Sequence, residues 1–161
     1  MKQKNISFQY SEYDSESELS SELQELALSA KTIAKKAYSP YSKFQGGAAI
    51  LLENGIVITG NNQENAAYPS GICAERVAMF YANAQYPETP VKAIAIVAYN
   101  KEKETESPIY PCGACRQVLI ESQQRLKQPI KLLFIGKRHI HLVESASHLL
   151  PLEFDKDSLI Q

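Results

Sequence analysis

Apolar positions along the chain change between helical and strand-like spacing. Between residues 19 and 37, leucine, isoleucine and alanine recur at steps of three and four, which predicts an amphipathic helix of about five turns. Two short apolar runs, 47–52 and 56–59, flank Asn54 and Gly55, and an Asn-Gly pair in this setting is a strong β-hairpin signal. The near-continuous apolar run 91–98 is typical of a central strand that is covered on both faces.

Two more helices are predicted to begin at cysteines. One opens at or just before Cys73 and ends before Pro87, and the other starts at Pro111 and ends before Pro129. The remaining regular segments are two strands and a short last helix, at 130–135, 139–143 and 146–150. The element order α-β-β-α-β-α-β-β-α predicts an α/β fold in which helices cover a sheet and the two cysteine-bearing helix starts converge.

Length and composition predict one domain. The chain has 161 residues, of which 44% are hydrophobic, and two separate cores would each be too small to be comfortable. Residues 1–18 are polar and increasingly acidic, which predicts a flexible N-terminal extension. We therefore expect a single domain over residues 19–161.

Charge and composition narrow the class of partner. A formal net charge of -1 does not favour binding to a nucleic-acid polymer, which requires a basic surface. The sequence contains no apolar run of the roughly 18 residues that a membrane span needs, and its start is too polar for a signal peptide. Three cysteines suit metal binding in a reducing compartment better than a disulfide framework. We expect a cytoplasmic protein that acts on a small molecule.

The three cysteines are the candidate metal ligands. Cys112 and Cys115 are three residues apart, so their sulfurs share one face of a first helical turn, and Cys73 adds a third thiolate. Structural zinc sites usually have four protein ligands, whereas catalytic sites leave one position open. The three histidines, His139, His141 and His148, are expected to be surface groups. On a strand, His139 and His141 alternate with apolar residues and would point away from them. The spacing therefore indicates a catalytic site with one zinc ion per chain.

Glu75 and Arg76 follow closely after Cys73 and carry charges that such a site needs. A carboxylate beside a metal-bound water could take up its proton and return it to the substrate. Arg76 could offset the negative charge that three thiolates leave on a divalent cation. Each residue also has a simpler interpretation: Glu75 as a favourable charge at a helix start, and Arg76 as a surface cation.

Five motifs together match a known family. The signature of zinc nucleobase deaminases is His or Cys, one residue, Glu, and later Pro-Cys-x-x-Cys, and residues 73–75 and 111–115 meet it. The chain resembles the small, three-cysteine cytidine deaminases, whose blocks it carries in the same order. The matching blocks are Tyr38 to Phe44, Gly47 to Ala49, Gly60 to Tyr68, Ile72 to Arg76 and Pro111 to Gln117.

The resemblance implies a fold, a cofactor and a reaction. The implied fold is a three-layer α/β/α sandwich with helices on both faces of a mixed five-stranded sheet. Cys73, Cys112 and Cys115 would hold Zn²⁺, a zinc-bound hydroxide would attack C4 of the base, and Glu75 would shuttle the protons. The implied reaction is hydrolytic deamination of cytidine and deoxycytidine to uridine and deoxyuridine plus ammonia.

The resemblance also implies substrate-binding residues and an assembly. Phe44 would pack against the base, Asn62 and Glu64 would bind the 3′-hydroxyl of the sugar, and Ala74 would belong to the same pocket. Phe154 resembles a C-terminal aromatic residue that reaches the site of a neighbouring subunit, as expected of a homotetramer.

Three residues depart from the family pattern. The family commonly has valine at the position of Gly46, an apolar residue at that of Gln63 and serine at that of Tyr110.

The motifs leave three other functions to consider. A deaminase of another cytosine nucleoside, such as blasticidin S, would share the metal motifs. An RNA or DNA editor is disfavoured by the charge, and a structural zinc module by the three ligands instead of four.

Overall fold

One mixed β-sheet forms the centre of the computed structural model, which describes residues 1–160. Its strands are β1 (Ser11–Tyr13), β2 (Phe44–Leu52), β3 (Val57–Asn61), β4 (Val91–Asn100), β5 (Lys103–Glu104), β6 (Lys131–Ile135) and β7 (Ile140–Val143). They are ordered β1-β7-β6-β4-β2-β3, and β5 pairs with the end of β4. Within the described chain, β4 and β6 are the only parallel neighbours, and α3 connects them.

Three α-helices cover the two faces of the sheet within residues 1–160. They are α1 (Ser21–Ala34), α2 (Ala74–Gln85) and α3 (Gly113–Leu126), and short 3₁₀ turns lie at Glu16–Glu18, Tyr68–Ser70, Ala146–Leu149 and Lys156–Leu159. None of the helices in this part of the chain has the length and apolar run needed to cross a membrane.

The alternation of side chains along β2 produces two cores. Ala49 and Leu51 belong to the core under α1, whereas Ala48 and Ile50 belong to the core under α2 and α3. The predicted three-layer α/β/α arrangement is therefore confirmed.

The local structure requires glycine at two positions of the first hairpin. Gly55 has a φ of 84°, a left-handed conformation that the predicted Asn-Gly turn requires. A Cβ at Gly47 would lie 2.3 Å from the carbonyl oxygen of Ala30. Helix α1 thus approaches β2 closely enough that only glycine fits.

The sheet has seven strands across residues 1–160, so the expectation of five was wrong in this detail. The additional strands are β1 and β5, which have three and two residues. Strands this short cannot show a hydrophobic period, and their sequences are mostly polar. Backbone pairing with β7 and β4 nevertheless adds them to the sheet.

The segment expected to be a flexible extension contacts the rest of the domain from residue 8 onwards. Ser11 pairs with Leu142 in β7, and Ser15 and Glu18 form a capping box around a short 3₁₀ turn. Glu16 forms an ion pair with Lys31 of α1, and Lys31 also contacts Glu104 of β5 at 3.1 Å. Aromatic and apolar contacts of Phe8, Tyr10 and Tyr13, together with polar and charged contacts, therefore hold this segment against the domain.

Candidate metal centre and active site

Two helix N-termini bring the three cysteines together. Cys73 is the N-cap of α2, Cys112 is the N-cap of α3, and Cys115 is the third residue of α3. Their sulfur atoms all lie within 4.8 Å of one another, and those of Cys73 and Cys112 are 3.9 Å apart. Residues that are 39 positions apart in the sequence thus form one cluster, as the spacing predicted.

The cluster fits a zinc ion. Zinc–sulfur bonds of about 2.3 Å in a tetrahedron place two sulfurs about 3.8 Å apart, close to the separation of Cys73 and Cys112. All three thiols are free of disulfide bonds. Three protein donors leave one tetrahedral position for water or substrate, which is the pattern of catalytic zinc sites.

The electrostatics of the cluster favour a thiolate at Cys73. Its hydrogen bond with Cys115, and after it the guanidinium of Arg76, lower the pKa of Cys73 to about 5. The Nη2 atom of Arg76 lies 3.8 Å from the Cys73 sulfur, and this contact raises the pKa of Arg76. Contact with the Cys73 sulfur and burial raise the pKa of Cys115, so the first negative charge resides on Cys73.

Glu75 lies in the first turn of α2, beside the cluster. Its side chain is buried, with 9% of the residue exposed, and burial raises the pKa of its carboxyl group. A buried carboxyl group that lies next to a candidate metal centre has the properties of a proton carrier.

Arg116 supports the segment that carries Cys112, a role that the sequence analysis did not foresee. Its Nε donates to the carbonyl oxygen of Pro111 at 2.9 Å, and its Nη1 donates to that of Leu149 at 2.9 Å. The second partner is 33 residues away, so no local pattern could have identified this contact.

Three of the expected substrate-binding positions lie close together at the start of β2. The side chain of Asn62 accepts from the backbone of Gly46 at 2.6 Å and donates to the carbonyl oxygen of Phe44 at 3.0 Å. A Cβ at Gly46 would lie 3.8 Å from the Cβ of Ala74. Asn62, Ala74 and the backbone of Phe44 therefore lie close to one another around Gly46, near the start of α2.

Glu64 organises the loop before β2. Its carboxylate accepts from the backbone of Tyr41 at 2.9 Å and of Ser42 at 3.3 Å, and also from the Ser42 hydroxyl group. These bonds, the Ser42 hydroxyl first, lower the pKa of Glu64, which is partly exposed. Glu64 also lines a cavity of about 440 Å³ together with Tyr41, Ser42 and Tyr68.

Phe154 lies in the C-terminal segment with its ring exposed to solvent at 59%. Its carbonyl oxygen accepts from Gln117 of α3 at 2.8 Å, which fixes the segment on that helix. The structure therefore holds the backbone of Phe154 against its own subunit and leaves the ring uncovered.

Comparison with known proteins identifies the family. A family model described as the cytidine and deoxycytidylate deaminase zinc-binding region matches residues 20–128. The chain belongs to this family. The family resemblance and the zinc cofactor predicted from the motifs are thereby confirmed.

Relatives of this deaminase family member include bacterial cytidine deaminases. The cytidine deaminase of Sporosarcina psychrophila is 45% identical over 100 residues, which are 62% of this chain and 69% of that protein. The cytidine deaminase of Halalkalibacterium halodurans is 52% identical over 85 residues, which are 53% of this chain and 60% of that protein.

Solved structures of cytidine deaminases share the fold. The cytidine deaminase of Burkholderia pseudomallei superimposes with a TM-score of 0.70 at 41% identity, over 81% of this chain and 97% of that chain. The enzyme of Mycobacterium tuberculosis has a TM-score of 0.63 at 29% identity, over 82% and 96% of the two chains. The protein is therefore a zinc-dependent deaminase with the α/β/α fold of these enzymes.

Proposed function

We propose that the protein catalyses hydrolytic deamination of cytidine and deoxycytidine to uridine and deoxyuridine plus ammonia, as a step of pyrimidine salvage. The observation that carries this proposal is the cluster of three thiols, one donor short of a tetrahedron, beside the buried carboxyl group of Glu75. The names of the curated relatives support the choice of substrate.

The roles around the metal follow from the chemistry of the donor set. Cys73, Cys112 and Cys115 hold the zinc ion, which when bound supplies a Lewis acid for hydrolysis. Glu75 would take a proton from the attacking water and deliver it to N3 of the cytosine. It would then take the proton of the hydroxyl group added at C4 and deliver it to the amine, so that C4 becomes a carbonyl carbon and ammonia leaves. Because burial raises its pKa, Glu75 exchanges protons more readily near neutral pH than an ordinary glutamate does.

Arg76 balances the charge of the site. Three thiolates on a divalent cation leave a net charge of about minus one, which weakens the cation as a Lewis acid. The guanidinium group, 3.8 Å from the Cys73 sulfur, withdraws part of that negative charge.

The substrate lies between β2 and the start of α2. Phe44 packs against the base, and Ala74 lines the same pocket. Asn62 and Glu64 bind the 3′-hydroxyl group, and both have hydrogen-bonding capacity left after their contacts with the β2 region. Ribose and deoxyribose share the 3′-hydroxyl, so both nucleosides are substrates.

The assembly and location follow the same family pattern. We infer a cytoplasmic homotetramer in which the exposed ring of Phe154 reaches the site of a neighbouring subunit. Its fixed backbone supports this role, because an ordered segment presents the ring at a low cost in entropy.

An ultraviolet assay on a panel of substrates tests the proposal. Purified protein is incubated with cytidine, deoxycytidine, cytosine, CMP and blasticidin S, and wild type is compared with Glu75→Gln. We expect the two nucleosides to be deaminated far faster than cytosine, CMP and blasticidin S. A clear preference for blasticidin S would contradict the proposed substrate but not the reaction class.

A further inference from the structure

A chain of hydrogen bonds joins the N-terminal strand to the segment that precedes Cys112. The Nε2 atom of His141 lies 2.7 Å from a carboxylate oxygen of Glu12, and its Nδ1 atom lies 2.7 Å from the hydroxyl oxygen of Tyr110. Glu12 belongs to β1, His141 to β7, and Tyr110 to the loop before α3. The imidazole group thus links three separate parts of the fold.

The direction of the chain follows from the chemistry of its end groups. An ionised carboxylate only accepts hydrogen bonds, so Nε2 of His141 carries the proton in the neutral tautomer. Nδ1 then accepts from the Tyr110 hydroxyl group. The imidazole is also shielded, since His141 is 9% exposed and the ring of Tyr10 lies 4.7 Å away. The expectation that His141 is a surface group was therefore wrong.

Tyr110 is held on two sides, and Cys112 is only two residues further along. Besides its bond to His141, its ring makes an edge contact with Phe134 of β6, with ring centroids 5.1 Å apart. The next residue, Pro111, is fixed through its carbonyl oxygen by Arg116. The segment leading to Cys112 is thus anchored to the sheet by Tyr110 and to α3 by Pro111.

We propose that Tyr110, oriented by His141 and Glu12, is a positioning residue for Cys112, so that the N-terminal strand contributes to holding the metal ligand. Anchoring the loop keeps the Cys112 sulfur near the other two thiols and slows the opening of the cluster. This inference rests on the proposed role of Cys112 as a zinc ligand.

Zinc release from the full-length protein tests the proposal. The rate of transfer to a coloured chelator is measured for wild type, Tyr110→Phe and the control Tyr10→Phe, which removes a hydroxyl group from a ring on the same imidazole. Supporting contacts around metal ligands typically change affinity by about 10–100-fold, so we expect release from Tyr110→Phe to be about tenfold faster. We expect Tyr10→Phe to release zinc at the wild-type rate. A wild-type rate for Tyr110→Phe would overturn the proposal.

A double-mutant cycle separates positioning from general destabilisation. If Glu12 acts on the metal loop through His141 and Tyr110, Glu12→Ala accelerates zinc release in wild type but not in Tyr110→Phe. Thermal unfolding of the zinc-free proteins should show that Glu12→Ala lowers stability in both backgrounds, because the hydrogen bond between Glu12 and His141 is lost in each. Additive effects on zinc release would overturn the proposal. A finding that the wild-type protein binds no zinc would instead contradict the metal site itself.

Discussion

Asn62 donates a hydrogen bond from Nδ2 to the carbonyl oxygen of Phe44, and its Oδ1 accepts from Gly46 two residues further along β2. The amide therefore links the residue directly after β3 to β2, the strand that carries the proposed base-packing ring. Because the same amide is proposed to meet the sugar, one side chain sets the distance between the base and sugar sites.

Replacing Asn62 by alanine is expected to affect stability and catalysis together. The lost contacts leave partly buried backbone groups without their side-chain partner, which costs about 1 kcal/mol of unfolding free energy. We expect kcat/KM to fall by about tenfold or more for cytidine and deoxycytidine alike. Urea unfolding and steady-state kinetics measure the two effects.

Asn61 offers a matched control for Asn62. Its side chain donates instead to the carbonyl oxygen of Ile33, near the end of α1. Asn61→Ala should therefore lose stability with little change in kcat/KM. Equal kinetic losses in the two variants would contradict a specific role for Asn62.

Glu75→Gln is expected to keep zinc and fold and to lose turnover. Glutamine has the shape of glutamate but cannot shuttle protons, and general acid–base catalysis typically contributes about 10²–10⁴-fold. Since burial disfavours the charged form of Glu75, the neutral variant should unfold at the same temperature or a higher one. Metal analysis, thermal unfolding and single-substrate kinetics check this, and near-normal turnover would exclude the proposed role.

Zinc is expected to be present at about one ion per chain and to stabilise the fold. A ligand at 100 times its dissociation constant stabilises the folded state by about 2.7 kcal/mol, so chelation should lower the unfolding temperature and readdition should restore it. Cys112→Ser should lose zinc to the same chelator at a lower concentration. Zinc retention equal to wild type in Cys112→Ser would argue against this ligand.

The neighbouring glycines of β2 should respond differently to an added methyl group. A Cβ at Gly47 meets backbone atoms of α1, so Gly47→Ala should cost about 1–3 kcal/mol of stability. A Cβ at Gly46 would lie 3.6 Å from Asn62 Oδ1, an ordinary contact. Gly46→Ala should therefore fold within about 0.5 kcal/mol of wild type and raise KM by narrowing the pocket. A loss of stability in Gly46→Ala as large as in Gly47→Ala would contradict this difference.

The parts of the fold that were predictable are those with repeating apolar patterns. The β2–β3 hairpin, the buried strand β4 and the three helices lie where the spacing placed them, with ends shifted by a few residues. Ser15 and Glu18 form a capping box around a 3₁₀ turn, while Ser20 caps α1. Local sequence does not distinguish the two kinds of cap, because a serine side chain accepts from a backbone N–H group in both.

The contacts that could not be predicted depend on tertiary structure. The cysteine cluster was accessible because thiols are rare and their spacing is regular. The alternation along β7 correctly indicated the face of the strand on which His141 lies. The expectation of a surface group was wrong because nothing in the local sequence shows that Tyr110 and residues 8–12 cover that face. The contacts of Arg116 and Lys31 likewise join residues far apart in sequence.

Strand β1 pairs with the edge of β7, which would otherwise be unpaired. Residues Ile140–Val143 of β7 are all buried, and pairing with β1 occupies backbone groups that a second molecule could otherwise use. Without residues 11–13, this apolar edge would be a template for intermolecular strand addition. The short polar N-terminal strand thereby protects the enzyme from aggregation through strand pairing between molecules.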